Sequence, residues 1–207
     1  MSTVKSKKLQ VGTDATASNN FTIYQPSTPD GTLRIGQGTA DNPTEVARIT
    51  VDGVADANGN LLSNTPMMQS IMGANTTITH NTATLVPYSV EQIDTDNAYN
   101  TSTYTFTVPT GKDGIYFIHA ETRVDDGTSS IKNALLKIQK NGGDLGRNYQ
   151  NTFNNPPTAL QLSVSGSWSL VGGDEIKVYC QMATVDGVSG TLSAGTYNRF
   201  HIHRLIA

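Results

Sequence analysis

Residues 158–170, TALQLSVSGSWSL, decide the fold, because apolar and polar side chains alternate along them. One side is apolar and comprises Leu160, Leu162, Val164, Trp168 and Leu170. The other side is polar and comprises Gln161, Ser163, Ser165, Ser167 and Ser169. A period of two residues is typical of a β-strand with one face in a core and the other in water. The stretch therefore predicts a long strand whose serine face is exposed to solvent.

Three further segments, Gly114–Val124, Glu175–Met182 and Arg199–Ile206, alternate in the same way but have bulkier second faces. Those second faces carry Phe117, His119, Tyr179, Gln181, His201, His203 and Leu205. Aromatic and imidazole groups that point away from a domain's own core indicate a partner surface. These seven residues are the predicted interface of a homo-oligomer.

Turn signals recur along the whole chain, whereas helical periodicity is almost absent. Asn-Gly and Asp-Gly pairs supply the positive φ angles of tight hairpins, as at Asn58-Gly59, Asp113-Gly114 and Asn141-Gly142. The spacing predicts an all-β antiparallel sandwich. The predicted strands after residue 83 are Thr84–Val90, Tyr104–Val108, Gly114–Val124, Ala134–Lys140, Thr158–Leu170, Glu175–Ala183 and Arg199–Ile206, with short edge strands near Ile93 and Thr191.

The composition excludes several classes of function. Of the 207 residues only 15% are charged, and the net charge of -3 provides no electrostatic footprint for nucleic acid. No apolar run approaches the roughly 20 residues that span a bilayer, and no signal-peptide core precedes residue 30. We therefore expect cytosolic synthesis without membrane insertion, solvated N-terminal lysines (Lys5, Lys7 and Lys8), and a buried, structural Cys180.

The apolar content and strand pattern of the sequence divide the chain into three regions. Residues 1–62 are polar and too poor in apolar residues for an independent monomeric core, so contact with other copies or with a larger assembly would order them. A disordered arm is the alternative. The strands predicted there are Lys8–Val11, Phe21–Tyr24, Thr32–Ile35 and Val46–Val51. Residues 63–82 are predicted to be a connector with one helical turn at Met67–Met72, and residues 83–207 form the main domain.

The order of motifs in the main domain resembles a known family. Tyr99 and Thr101–Thr103 lead into FTVP (106–109), GIYF (114–117) opens the third strand, and LKI (136–138) precedes KNG (140–142). SGS (165–167) then precedes GGD (172–174) and IKV (176–178). This order resembles the trimeric jelly roll of complement first-component globular heads and the tumour necrosis factor superfamily. The resemblance implies a homotrimer in which the strands Gly114–Val124, Glu175–Met182 and Arg199–Ile206 face the threefold axis.

The N-terminal region resembles a different group of proteins. KKLQVG (7–12), ASNNFT (17–22) and PDGTLRIG (29–36) are similar to N-terminal segments of structural proteins from tailed phages, especially marine and cyanobacterial ones. This resemblance implies a bacteriophage virion appendage, such as a tail fibre, a tail-tip protein, or a capsid fibre or decoration. Region 1–62 would dock to other virion proteins, and assembly would take place in the host cytoplasm.

Two sets of residues are candidates for chemistry. Strand alternation places His201 and His203 on one side, and a threefold axis would gather six imidazoles into an octahedral metal site. The alternative is imidazoles packed at the interface without metal, and no other cofactor is predicted. The acidic pairs Asp94/Asp96 and Asp125/Asp126 lie beside turn residues, which favours turn formation over glycoside hydrolysis. We therefore predict that the protein is not an enzyme.

The segment Gly142–Pro157 is predicted to be a long exposed loop. Its aromatic, amide and basic side chains suit contact with a host-surface glycan or protein. The candidate receptor-binding residues are Arg147, Asn148, Tyr149, Asn151, Phe153 and Asn154. The alternative is a plain connection between strands. Residues 125–130 and 184–196 are further candidate loops.

These observations predict a non-enzymatic, homotrimeric virion protein with a host-binding knob. A purely structural capsid or tail decoration protein is the first alternative. A secreted lectin-like module is the second, and a glycan depolymerase is the third.

Overall fold

The computed structural model describes residues 8–12, 14–16, 19–38, 42–51, 53–57, 66–128 and 130–206. Over these ranges the chain is built from β-strands, which confirms the predicted fold class, and no helix has the length and apolar character needed to cross a membrane. The strands are β1 (Lys8–Val11), β2 (Phe21–Tyr24), β3 (Leu33–Gly38), β4 (Pro43–Thr50), β5 (Gly53–Asp56), β6 (Met67–Met72), β7 (Thr76–Ile78), β8 (Thr84–Leu85), β9 (Val90–Asp94), β10 (Tyr99–Asn100), β11 (Thr105–Thr107), β12 (Gly114–Asp125), β13 (Ile131–Lys140), β14 (Gly143–Asn151), β15 (Ala159–Leu170), β16 (Glu175–Thr184), β17 (Gly190–Leu192) and β18 (Gly195–Ile206).

The chain divides into two compact units, Met1–Asn64 and Thr65–Ala207. In the first unit, β1 to β5 pair in chain order as an antiparallel sheet, which we call the N-terminal sheet. Its strands β1 and β2 have the predicted bounds, whereas β3 and β4 are longer than predicted. Lys5 and Lys7 lie outside the described residues.

The second unit consists of two antiparallel sheets. One has the order β9-β6-β18-β12-β15, with β17 and β7 added beside the end of β12; we call it the histidine-bearing sheet. The other has the order β10-β11-β16-β13-β14, with β8 beside β16; we call it the tyrosine-bearing sheet. Apart from the β13–β14 hairpin, successive long strands alternate between the two sheets, since β12, β15 and β18 belong to one and β13, β14 and β16 to the other. This strand order is that of a jelly roll, as predicted.

The core of the second unit lies between these sheets. Alternation in β12 buries Tyr116, Ile118 and Ala120, and the facing strands contribute Leu136 and Val178. Cys180 is also buried, and burial raises the pKa of its thiol to about 12. The thiol therefore stays protonated at neutral pH and acts as a small apolar side chain, as the sequence predicted.

Part of the predicted connector belongs to the jelly roll, which corrects the sequence analysis. Met67–Met72 is not a helical turn but strand β6, which pairs with β18 and β9. Met68, Ser70 and Met72 are buried while the residues between them are partly exposed, so the period is two. A short apolar run fits either period, and pairing with β18 decides between them. Residues 63–65 of the connector lie outside the described residues.

The predicted loop Gly142–Pro157 is also different in the structure. Asn141 (φ 51) and Gly142 (φ 85) form a tight hairpin, after which Gly143–Asn151 runs back along β13 as strand β14. The polar sequence of β14 has low β propensity, which concealed the strand. Backbone pairing with β13 supplies the order that the side chains do not specify.

Candidate functional site

The outward face of the histidine-bearing sheet collects four of the predicted interface residues. Antiparallel pairing sets Phe117 of β12 opposite His203 of β18, and His119 opposite His201. Glu121 and Arg199 form the next outward-facing pair along these two strands. We call these six residues the histidine face. Inward neighbours such as Ile118 and Ile202 are fully buried, so alternation alone fixes the direction of this face.

Aromatic contacts and a hydrogen bond hold the rings of the histidine face together. The ring centroids of Phe117 and His203 are 5.4 Å apart. Nε2 of His201 lies 2.8 Å from Nδ1 of His203, so one of these nitrogens donates a hydrogen bond to the other. Burial, followed by the charges of His203, His119 and Arg199, lowers the pKa of His201. His201 therefore favours its neutral form, which suits a surface that becomes buried.

The geometry does not assemble the predicted metal site within one chain. The facing nitrogens of His201 and His203 are occupied by their mutual hydrogen bond. Among the described residues, no three or more His, Cys, Asp or Glu side chains are grouped so that they could hold a metal ion.

Charged groups lie at one end of the face. The Glu121 carboxylate lies 3.8 Å from Nε2 of His119 and 3.9 Å from Nε of Arg199. These distances are too long for strong hydrogen bonds, and the buried Nε of Arg199 has no hydrogen-bond partner in the described part of the chain. These contacts of Glu121 are therefore weak.

The two borders of the histidine face differ in polarity. On the β15 side, Ser167 and Ser165 continue the rows of Phe117 and His119, and both serines are exposed as predicted. On the other side, Met67, Gln69 and Ile71 of β6 continue the rows. Beyond that border lie the exposed apolar residues Val90 and Ile93 of β9, and the exposed Leu205 lies at a bulge of β18 itself. The serine and histidine surfaces are thus one continuous face, graded from polar to apolar.

Tyr179 and Gln181 do not belong to the histidine face, which corrects the predicted interface. They lie on β16, in the tyrosine-bearing sheet, and point outward on the other side of the sandwich from the histidine face. Alternation along β16 specifies an outward face but not the sheet to which the strand belongs. The seven predicted interface residues are therefore divided between two surfaces.

The outward face of the tyrosine-bearing sheet contains both predicted interface residues and predicted receptor-binding residues. Cross-strand pairing puts Tyr179, Lys137 and Arg147 in one row, and Gln181, Leu135 and Tyr149 in the next. We call these six residues the tyrosine face. The side chain of Lys137 forms an ion pair with Asp144 at 3.2 Å. Tyr149 is 56% exposed, so its ring is free for stacking.

Asn151 continues the exposed side of Arg147 and Tyr149 along β14, whereas the other candidate receptor-binding residues lie elsewhere. Asn148 points to the neighbouring sheet, where its Nδ2 donates a hydrogen bond to the Ser163 carbonyl at 2.8 Å. This bond joins the edge strands β14 and β15, so Asn148 has a structural contact. Phe153 and Asn154 lie in the exposed turn after β14, and Oδ1 of Asn151 accepts a hydrogen bond from the Phe153 amide.

The acidic pairs act in turns, as the sequence analysis favoured. The Asp126 carboxylate accepts hydrogen bonds from the backbone and side chains of Thr128 and Ser130. Although burial acts in the opposite direction, these bonds lower the pKa of Asp126. Asp94 similarly accepts from the amides of Asp96 and Tyr99. The general acid of a glycosidase needs a raised pKa, whereas the pKa of Asp126 is lowered.

No family model and no curated protein matches the sequence. Among solved structures, the chain is similar to the globular domain of a zebrafish complement 1qA protein. The two are 12% identical, with a TM-score of 0.49, and the alignment covers 68% of this chain and 97% of that chain. The jelly-roll assignment rests on the strand order of the second unit itself.

Proposed function

We propose that this chain is a non-enzymatic phage virion protein that assembles as a homotrimer. Its N-terminal unit docks to other virion proteins, and its jelly-roll unit is a knob that binds a host-surface glycan or protein. A tail fibre, a tail-tip protein and a capsid fibre or decoration all fit this role. The resemblance of residues 7–36 to phage structural proteins supports the virion location.

The histidine face is the single observation that carries the homotrimer. Its rings are only partly exposed, its central imidazole favours the neutral form, and one border is apolar. A patch of partly buried aromatic rings with one apolar and one polar border has the composition of a protein interface. The serine row of β15 then forms the polar border.

The tyrosine face supports the binding role. It is an outward surface that combines the rings of Tyr149 and Tyr179 with the cations of Arg147 and Lys137. Tyrosine provides a large rigid contact area at low entropic cost, and such side chains stack on sugars or pack against protein. The face lies on the sheet opposite the histidine face, so a trimer built on one leaves the other accessible.

Phe117→Glu tests the proposed assembly. The substitution puts a carboxylate on the histidine face beside the His203 ring, where burial of a charge costs several kcal/mol. We expect the protein concentration at which the trimer dissociates to rise at least tenfold, as measured by light scattering and native mass spectrometry. Tyr179→Glu is the matched control, because the same charge enters the other sheet and should leave the assembly unchanged.

Equal effects of these two variants would refute the assignment of the interface to the histidine face. A purely structural decoration protein predicts fragile particles in its absence and no loss of adsorption from changes on the tyrosine face. A secreted lectin-like module predicts glycan binding without any association with particles.

A further inference from the structure

We infer that one face of the N-terminal sheet is a second self-association surface, which packs against the same face of other copies of this chain. The occupant is the chain itself, and the number of copies, three, rests on the proposed homotrimer. This surface is separate from the histidine face and involves different strands.

The face follows from strand register. Leu9, Ile23 and Ile35 are aligned across β1, β2 and β3, and Leu33, Ile49 and Val54 are aligned across β3, β4 and β5. Val11 and Phe21 form a third aligned pair. Because paired residues share a side and alternate residues return to it, all eight lie on one face.

This apolar face is open to solvent. Leu9 is 59% exposed, Phe21 43% and Val54 44%. Leu9, Ile23, Leu33 and Ile49 also line a common pocket. Stable domains bury such a face against a second layer, yet the described residues between 8 and 57 form one sheet with no second layer of their own.

The opposite face of the N-terminal sheet already has its interactions. Arg34 forms ion pairs with Asp30 at 2.5 Å and with Glu45 at 2.7 Å, and Arg48 pairs with Glu45 at 2.6 Å. Ala55 on this side is fully buried. These charges therefore lie away from the apolar face and do not repel a copy that approaches it.

The exposed area matches self-association. The six most exposed apolar side chains of the face leave on the order of 500 Å² of surface, so three copies would remove about 1,500 Å² from water. A specific interface between two partners buries about 1,000 Å² or more in total, and two copies that meet through these six side chains alone would remove about that area. A neutral apolar surface of this size also suits a copy better than a charged partner.

Adjacent residues of β1 provide a matched test in the full-length chain. Leu9→Glu puts a charge on the apolar face, whereas Gln10→Glu puts it on the opposite face of the same strand. We expect Leu9→Glu to raise the dissociation concentration of the assembly at least tenfold and to increase hydrogen exchange of β1–β5 amides. Gln10→Glu should change neither. Ile49→Glu provides a second variant from another strand, and circular dichroism checks that each variant folds.

Combination with Phe117→Glu separates this inference from the proposed function. If both surfaces associate, only the double variant Leu9→Glu, Phe117→Glu is fully monomeric. If Phe117→Glu has no effect while Leu9→Glu dissociates the protein, the histidine-face trimer fails and the present inference stands. A monomeric parent protein, or identical behaviour of Leu9→Glu and Gln10→Glu, overturns it. In the latter case, loss of Leu9→Glu protein from particles would assign the face to another virion protein.

Discussion

His201 illustrates how one residue can report the state of a surface. Its ring is half buried beside His203, His119 and Arg199, so a proton placed on it would lose hydration and meet three basic groups. Burial is the larger cause, and the charge of His203 is the next. The folded chain therefore binds fewer protons at this position than the unfolded chain.

We expect an NMR titration to give His201 a pKa below 6.5, and His203→Gln to raise that pKa without fully restoring it. Because the folded-state pKa is lowered, the free energy of unfolding should decrease as the pH falls below about 6.5. His201→Gln should reduce this loss when unfolding is measured at one fixed protein concentration. Ser165→Ala, which removes no titratable group, is the control. A pKa of 6.5 or above for His201 would contradict this account.

At the scale of elements, the β13–β14 hairpin shows what a turn can and cannot predict. The pair Asn141-Gly142 correctly indicates a tight hairpin, since both residues have positive φ. Asn141 also ties the hairpin to β16, because its side chain bonds to Asp174 and to the Glu175 amide. The strand that follows could not be predicted from its own residues, since Arg147, Asn148 and Asn151 favour loops as readily as strands.

Substitution at Gly142 tests this turn. A side chain there would meet no atom within 4 Å, so its cost arises from the backbone angle alone. We expect Gly142→Ala to lower the free energy of unfolding by about 1 kcal/mol, measured by chemical denaturation. Gly143→Ala is the matched control, because its φ is ordinary and its added methyl makes an ordinary contact. Equal losses for the two variants would show that the left-handed conformation is not required.

At the scale of the whole jelly-roll unit, the proposed function assigns a different task to each of the two sheets. The histidine face suits assembly and the tyrosine face suits recognition, and the core between them keeps the surfaces apart. Tyr179 and Phe117 are both aromatic residues on the second faces of alternating strands, but they point in opposite directions from this core. Substitutions on one surface should therefore leave the task of the other unchanged.

Tyr149→Ala is expected to reduce adsorption of particles to host cells at least tenfold, because an exposed tyrosine at a binding centre is a typical hot spot. Tyr197→Ala is the matched control, since Tyr197 is 52% exposed but lies in the histidine-bearing sheet. Adsorption kinetics of intact particles measure the effect, with the amount of incorporated protein checked in each preparation. Unchanged adsorption by Tyr149→Ala would favour the purely structural alternative.

The sequence by itself determined the all-β class, the tight turns, and the inward and outward sides of the long strands, because these depend on neighbours close along the chain. It therefore predicted that Phe117, His119, His201 and His203 point outward and that the serines of β15 are exposed. Only the tertiary structure decided which strands share a sheet, and thus that Tyr179 joins Arg147 and Tyr149 on another surface. Alternation gives every strand two faces, but pairing between residues distant in sequence decides which faces become one surface.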